Sequence, residues 1–372
     1  MRVVYVSPHA TRGGAERVTM DLIALHRRGT VEPAVVFLAD GPLVDEARGC
    51  GVDVEVLRAP RMRGLIAAAR AKRALARRLV ALKADLVHGV MAWGHCYAGA
   101  AARLARIPAV WYQHDVPDWR RPLNLRAALI PARRILVNSA LTAGAQRRFN
   151  PRRIPIEIVR PGTRIPSQLR ATRRAQGRAA LGLAPEDFVV GMVARLARGK
   201  GHPTLLRASQ SLCNARSDAR VVVAGAALFG RDPDYPAALE RLAAELGIGD
   251  RVRFIGSAFD VGDVLGALDV AVHVPDGPES YGLAVVEAMA AGAAVVAADG
   301  GAVREIVEPG VTALLVTAGD HEALATALLA LHDDPDRCAR LASAGAEAAR
   351  SRLDIQQTVR RVESLYQAAL TR

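Results

Sequence analysis

Between Pro278 and Gly292 the chain reads Pro-Glu-Ser-Tyr-Gly-Leu-Ala-Val-Val-Glu-Ala-Met-Ala-Ala-Gly, with two carboxylates, Glu279 and Glu287, eight positions apart. A β-branched run ending at Val274 precedes this segment, and residues 282–291 have the composition of a helix. Glu279 therefore falls in a strand-to-helix loop, and Glu287 about a turn and a half inside the helix. A loop carboxylate can accept hydrogen bonds from sugar hydroxyls, and a helical one can hold a ribose diol. Between them, free N–H groups near Tyr281, Gly282 and Leu283 make a helix N-terminus suited to phosphate. The plain alternative is a capping loop followed by a surface glutamate.

Four other segments could do related chemistry. Gly191-Met-Val-Ala-Arg-Leu-Ala-Arg-Gly-Lys-Gly201 follows another apolar run. In it Arg195 and Lys200 are placed to neutralise a diphosphate, with glycines letting the backbone approach. Lys72, Lys83 and Lys200 are the only lysines among fifty basic residues, so an ammonium between Gly199 and Gly201 hints that a compact charge is wanted. The P-loop spacing is absent, and a solvated basic turn is the alternative. Gly13-Gly14-Ala15-Glu16-Arg17 follows the first apolar run, where Gly14 could approach a phosphate or an acceptor, or simply form a tight turn. Its pattern is not G-x-G-x-x-G, which counts against a nicotinamide or flavin dehydrogenase. His114, in Gln113-His114-Asp115, could donate to a sugar hydroxyl or act as a general base beside Asp115. The other eight histidines show no comparable setting. Asp299-Gly300-Gly301 with Glu305 could admit a ligand closely or cap a helix. The triplets Asp232-Pro233-Asp234 and Asp334-Pro335-Asp336 read as turn chemistry rather than metal sites. No G-x-S-x-G elbow of an α/β-hydrolase occurs.

These segments need elements to position them. Strand candidates are residues 3–6, 34–38, 52–57, 86–89, 109–113, 134–138 and 156–159, then 188–193, 220–224, 252–255, 270–274, 294–297 and 313–316. They alternate with alanine-rich helical segments, which predicts two parallel-sheet α/β domains in succession. The length of 372 residues and a half-hydrophobic composition suit two such cores. The break falls in 161–185, rich in proline, glycine and arginine, and 355–370 reads as a final helix. Ligands of open parallel sheets bind beyond the carboxyl ends of the strands, where every segment above lies. The four cysteines are scattered, which argues against a zinc site or disulfides and fits a reducing cytosol. The amino-terminal apolar run is too short for a signal peptide, and the best membrane-spanning candidate, 284–298, contains Glu287.

The formal charge of +13 is uneven. Arg58, Arg61, Arg63, Arg70, Lys72, Arg73, Arg77, Arg78 and Lys83 are crowded with no acidic residue among them, and Leu65, Ile66, Leu75, Leu79 and Leu82 recur at roughly helical spacing. Such a helix over 64–83 can lie on an anionic membrane or present a solvated arginine face. No nucleic-acid module accompanies it, so no nucleic-acid partner is expected.

Taken in order, the Gly-Gly-Ala-Glu-Arg loop, the Val-Ala-Arg-Leu-x-x-x-Lys-Gly turn, the E-x7-E segment and the Gly-Gly-x-x-x-Glu loop resemble glycosyltransferase family 4, retaining enzymes of the GT-B fold. The resemblance covers nearly the whole chain. It implies two Rossmann-like domains facing a central cleft: 1–165 for the acceptor, 180–352 for the nucleotide sugar, and a helix, 353–372, crossing back to the first domain. Arg195 and Lys200 would hold the diphosphate, Glu279 the donor sugar, Glu287 the ribose, and Gly282 and Leu283 the phosphate through N–H groups. Ile255 would lie near the base, His114 would touch the sugar, and Gly14 would face the phosphate or acceptor. The implied activity is metal-independent, retaining hexosyl transfer from a UDP- or GDP-sugar to a lipid-linked or glycan hydroxyl in cell-surface polysaccharide or glycolipid assembly. No cofactor is implied beyond the donor. The expected location is the cytoplasm, with attachment to the inner membrane face left open. The chain departs from the family at Ala194, where glycine is frequent, at Pro275-Asp276 in place of Pro-Ser, and at Tyr281, commonly phenylalanine. A soluble natural-product acceptor and a non-catalytic basic scaffold are the competing readings. A phosphorylase needing a Schiff-base lysine is disfavoured, because two of the three lysines lie in the basic helix.

Overall fold

The computed structural model describes residues 1–26, 29–60, 64–228, 232–256 and 260–371, so Arg61 and Arg63 of the basic cluster lie outside the described residues. The chain forms two compact units, Met1–Pro161 with Ile355–Arg372, and Gly162–Asp354.

The first unit holds strands β1 (Arg2–Ser7), β2 (Glu32–Phe37), β3 (Asp53–Val56), β4 (Leu86–Val90), β5 (Ala109–Gln113), β6 (Arg134–Val137) and β7 (Ile156–Ile158). They pair in the order β3-β2-β1-β4-β5-β6-β7, all parallel. The second holds β8 (Phe188–Val193), β9 (Ala219–Ala224), β10 (Val252–Ile255), β11 (Val270–His273), β12 (Ala294–Ala298) and β13 (Leu314–Val316), in the parallel order β10-β9-β8-β11-β12-β13. Every strand expected from sequence has its counterpart within two residues at either end. The central strands bear Val and Ala on both faces because helices cover both, as in Val3–Val6 of β1 and Val295 and Val296 of β12. In each sheet the strand order reverses once, between β1 and β4 and between β8 and β11. Those two switch points are where such sheets open a crevice for ligands.

The arginine-rich stretch read as a break contains a helix, Arg170–Leu181, that belongs to the second unit. That unit therefore starts at Gly162 rather than near residue 180. The helix lacks a strong apolar stripe, which hid it, and is held by arginines instead. Arg178 is buried, pairs with Asp269 at 2.6 Å and donates to the carbonyls of Ala184, Pro185 and Ala267. Gly177 permits the close approach, since a Cβ there would lie 2.3 Å from the Asp263 carbonyl oxygen. In the basic helix, Leu65–Ala81, the sequence pattern merges two faces. Ala68, Ala71, Leu75, Ala76 and Leu79 are buried, whereas Leu65 and Ile66 are 76% and 73% exposed.

The last helix, Ile355–Leu370, completes the first unit. Its Tyr366 hydroxyl lies 2.8 Å from the Tyr5 hydroxyl and 2.6 Å from His88 Nδ1, and Tyr5 in turn meets His26 Nδ1 at 2.8 Å. Burial keeps these groups neutral, pushing Tyr5 and Tyr366 up, His26 down to about 4 and His88 well down.

A pH dependence follows. Burial lowers His26, His95 and His202 to about 4 and His114 to about 3, while the unfolded chain protonates near 6.5. The unfolded state thus binds protons first. Stability is complete above about pH 6.5 and is lost as pH falls toward 4, by up to about 1.4 kcal/mol per pH unit for each histidine. Calorimetry between pH 7 and 5 is expected to show a falling Tm, with the first unit, which holds three of these four, melting earlier. A Tm constant over that range would contradict this.

Candidate nucleotide-sugar site

The second unit's switch point is built by three loops pressed together. The loop after β8 runs beside the end of β9, where the Ala194 and Leu196 amides donate to the Ala224 and Ala226 carbonyls. Gly225 closes this corner. Its φ is +149°, a Cβ would lie 1.9 Å from the Ala194 oxygen, and its N–H donates to the carbonyl of Ile255. Gly201, at φ +82°, opens the helix His202–Ala215, and a Cβ there would lie 1.7 Å from the Val274 oxygen. The Asp276 amide then donates to the Gly199 carbonyl, so the loops after β8 and β11 are stitched together. The loop after β12 supplies the third wall. Gly301, at φ +60°, backs onto the Glu279 main chain, and the Ala302 amide donates to the Glu279 carbonyl. Its glycine pair therefore has a structural reason in supporting Glu279. The helix suggested for Glu305 is a single 3-10 turn, Val303–Glu305, with Arg304 held by Asp299 at 2.6 Å.

This framework brings Lys200 and Glu279 together, with Nζ 2.7 Å from Oε2. His273, the last residue of β11, places Nε2 3.7 Å from the same oxygen. Burial would raise the Glu279 carboxyl, but the Lys200 ammonium, His273 and the Ser280 amide outweigh it and hold the group below its usual range. Burial, then the charge of Lys200, lowers His273 against the opposing pull of Glu279, so the imidazole is neutral. An ionised carboxylate that accepts from one ammonium and one amide still has lone pairs available for hydroxyl donors.

The remaining expected residues surround this pair unequally. Gly282, at φ +105°, caps the helix Leu283–Ala291, whose first turn carries Leu283 and whose second carries Glu287, half-buried. Arg195 is exposed at the end of β8. Tyr281 is 3% exposed and belongs to the apolar cluster with Val285, Val303 and Ile306, so its ring packs the loop. Ile255 is likewise buried at the end of β10. The Asp-Pro-Asp triplets serve locally: Asp232 pairs with Arg198 at 3.7 Å, and Asp334 caps the Arg337 amide at 2.8 Å.

Gly14 and His114 belong to the first unit. Gly14 opens the helix Gly14–His26 after β1 with free space around its Cβ position. His114 follows β5 with its ring 4.0 Å from Tyr112 and its carbonyl accepting from Asn138 Nδ2 at 2.5 Å. Its Nε2 is buried with no hydrogen-bond partner among the described residues. Burial lowers its pKa to about 3, which suits a hydrogen-bond donor and not a base poised near neutrality. His114 is not alone in its burial: His26, His88, His95 and His202 are equally enclosed. Sequence reasoning missed His273, whose signal was a single polar residue ending an otherwise apolar strand.

Two Rossmann-like parallel-sheet units in succession define a GT-B fold, and the second unit brings a helix start, an ammonium and a carboxylate to its own sheet switch point. The chain matches the family models "Glycosyl transferases group 1" over residues 174–348 and "Glycosyltransferase Family 4" over residues 12–165, and it belongs to these family 4-like glycosyltransferases. It is 41% identical over 192 residues to D-inositol 3-phosphate glycosyltransferase of Rhodococcus jostii (strain RHA1), covering 50% of this chain and 42% of that one. It is 32% identical over 199 residues to the lipopolysaccharide core biosynthesis mannosyltransferase LpsB of Rhizobium meliloti (strain 1021), covering 53% and 56%. The chain thus spans about half the length of the curated relatives it matches. The crystal structure of Anabaena Alr3699/HepE in complex with UDP and glucose superposes with a TM-score of 0.86 at 26% identity, over 99% of both chains.

Proposed function

We propose that the chain transfers a hexosyl group from a UDP- or GDP-sugar to a hydroxyl acceptor with retention at the anomeric carbon. The observation that carries this reading is the Lys200–Glu279 pair held by three loops at the β8/β11 switch point. Lys200, Arg195 and the N–H groups at Gly282 and Leu283 bind the diphosphate, Glu279 the sugar hydroxyls and Glu287 the ribose diol. The acceptor oxygen attacks the anomeric carbon from the face of the leaving group as the bond from that carbon to the phosphate oxygen breaks. The departing phosphate oxygen takes the acceptor proton. Positive potential at the helix start and Lys200 stabilises the charge that develops there, so the step is assigned no metal and no separate base. On the first unit, His114 is assigned a neutral donor role through Nε2, and Gly14 a backbone that a phosphate or an acceptor can approach. The Anabaena relative, also solved with UDP-glucose, supports a uridine donor. Measuring binding of UDP, GDP, ADP and TDP, and the anomeric configuration of the product, tests the proposal. An inverted product or binding of none of the four would overturn it.

The acceptor is assigned to a lipid-linked or glycan intermediate of cell-surface polysaccharide or glycolipid assembly, on the strength of the Leu65–Ala81 helix. Ile66, Arg70, Arg73, Arg77 and Val80 fall on one exposed stripe, with Leu65 beside it. An anionic lipid surface would meet the arginines while Leu65 and Ile66 insert among headgroups. Among the described residues no helix is long and apolar enough to cross a membrane. The chain is expected to co-sediment with phosphatidylglycerol vesicles and not with phosphatidylcholine vesicles. At about 1 kcal/mol per surface cation, Arg70→Ala with Arg73→Ala and Arg77→Ala should cost roughly 100-fold. Equal binding to both vesicle types would return the stripe to a solvated face and favour a soluble acceptor.

A further inference from the structure

We infer that His273 is a positioning residue for Glu279, clamping one carboxylate oxygen together with Lys200 so that the other is presented to the donor sugar. The inference rests on the donor-sugar role proposed for Glu279. Three observations carry it. First, the chain turns after β11 so that Glu279, six residues on, folds back over the strand's last side chain, bringing Nε2 to 3.7 Å from the oxygen that Lys200 takes at 2.7 Å. Second, His273 Nε2 is buried and has no hydrogen-bond partner within ordinary range. A buried polar atom left in that condition is costly, and Glu279 Oε2 is the acceptor placed to relieve it. Third, the void of about 10 Å³ beside the ring is lined by Val193, Ala271, Val285 and Ala288, so that side has room for about one water and offers the ring no polar side chain.

A ring turn of a few tenths of an ångström, or one water, closes the 3.7 Å gap and makes a neutral N–H donor to the carboxylate. The Ser280 amide holds Glu279 only from its own loop, and the Lys200 ammonium is a point charge without directional preference. A donor fixed on a strand end ties the carboxylate to the sheet. The carboxylate then keeps one orientation when Lys200 also engages the diphosphate. The expected signature is loss of productive sugar placement with little change in nucleotide affinity, since His273 touches neither phosphate nor base in this scheme.

The test compares wild type, His273→Phe, His273→Gln and Glu279→Gln, using UDP-glucose and GDP-mannose as donors and UDP and GDP as ligands. Phenylalanine keeps the ring volume without a donor, whereas glutamine can put an amide N–H near the position of Nε2. His273→Phe is expected to bind free nucleotide within about two-fold of wild type and to lose about 10-fold in kcat/KM for the donor. His273→Gln is expected to recover most of that loss. Nucleotide affinity falling in step with turnover in His273→Phe, or no recovery in His273→Gln, would reduce the residue to packing and overturn the inference. So would full turnover in His273→Phe beside an impaired Glu279→Gln. A Glu279→Gln variant as active as wild type would instead remove the donor-sugar role, and the inference with it.

Discussion

Lys200→Ala is expected to weaken UDP or GDP binding by about 10- to 100-fold and kcat/KM by more. The binding figure follows from loss of one charge-assisted contact to phosphate, about 1.5–3 kcal/mol. Turnover suffers further because the ammonium's attraction grows as the leaving diphosphate gains charge. The substitution also strips the largely buried Glu279 of the cation 2.7 Å away, so burial is no longer outweighed and the carboxyl moves up. Lys200→Arg is not expected to rescue it, since a longer planar fork does not match the compact ammonium that meets Glu279 at 2.7 Å from between two glycines of positive φ. Titration calorimetry reads the result directly. Wild-type affinity in Lys200→Ala would place the diphosphate elsewhere.

Glu279→Gln is expected to separate the two measurements. Transfer should fall about 100- to 1,000-fold in kcat/KM, because a neutral amide cannot accept hydrogen bonds from sugar hydroxyls as strongly as a carboxylate. Free nucleotide should bind as well as before or slightly better, since Lys200 is released from its internal partner. The two residues are in contact, so their effects should be non-additive in the double variant. Additive losses, or a parallel loss of nucleotide affinity in Glu279→Gln, would show that the pair does not divide diphosphate from sugar.

Much of this architecture was readable because its signals are local. Runs such as residues 188–193 and 294–297 read as central strands because they are short, rich in valine and bounded by turn residues, and Gly201, Gly282 and Gly301 fall where such runs give way to helices. Glu279 and Lys200 were found because each sits in such a turn. Their pairing was not, since 79 residues separate them and sheet order sets their distance. The Arg170–Leu181 helix escaped because its cohesion comes from guanidinium bonds to the carbonyls of Ala267, Leu268 and Ala291, a pattern invisible to hydrophobic periodicity. The buried histidines escaped for a related reason. Nothing in the sequence near His88 announces Tyr366, 278 residues later.

That last distance has a consequence for how the molecule comes into being. A ribosome delivers the seven strands of the first sheet long before Tyr366, so the His88 ring nitrogen has no closing partner, and the Tyr5 hydroxyl only that of His26, during most of translation. Leaving such groups unsatisfied costs about 1–3 kcal/mol each, a large share of a domain's net stability. The second unit, continuous from Gly162 to Asp354, carries no such debt. The half made first is therefore the half that matures last. In a chain ended at Asp354, a protease should cut the first unit and spare the second; equal resistance in both would contradict this order.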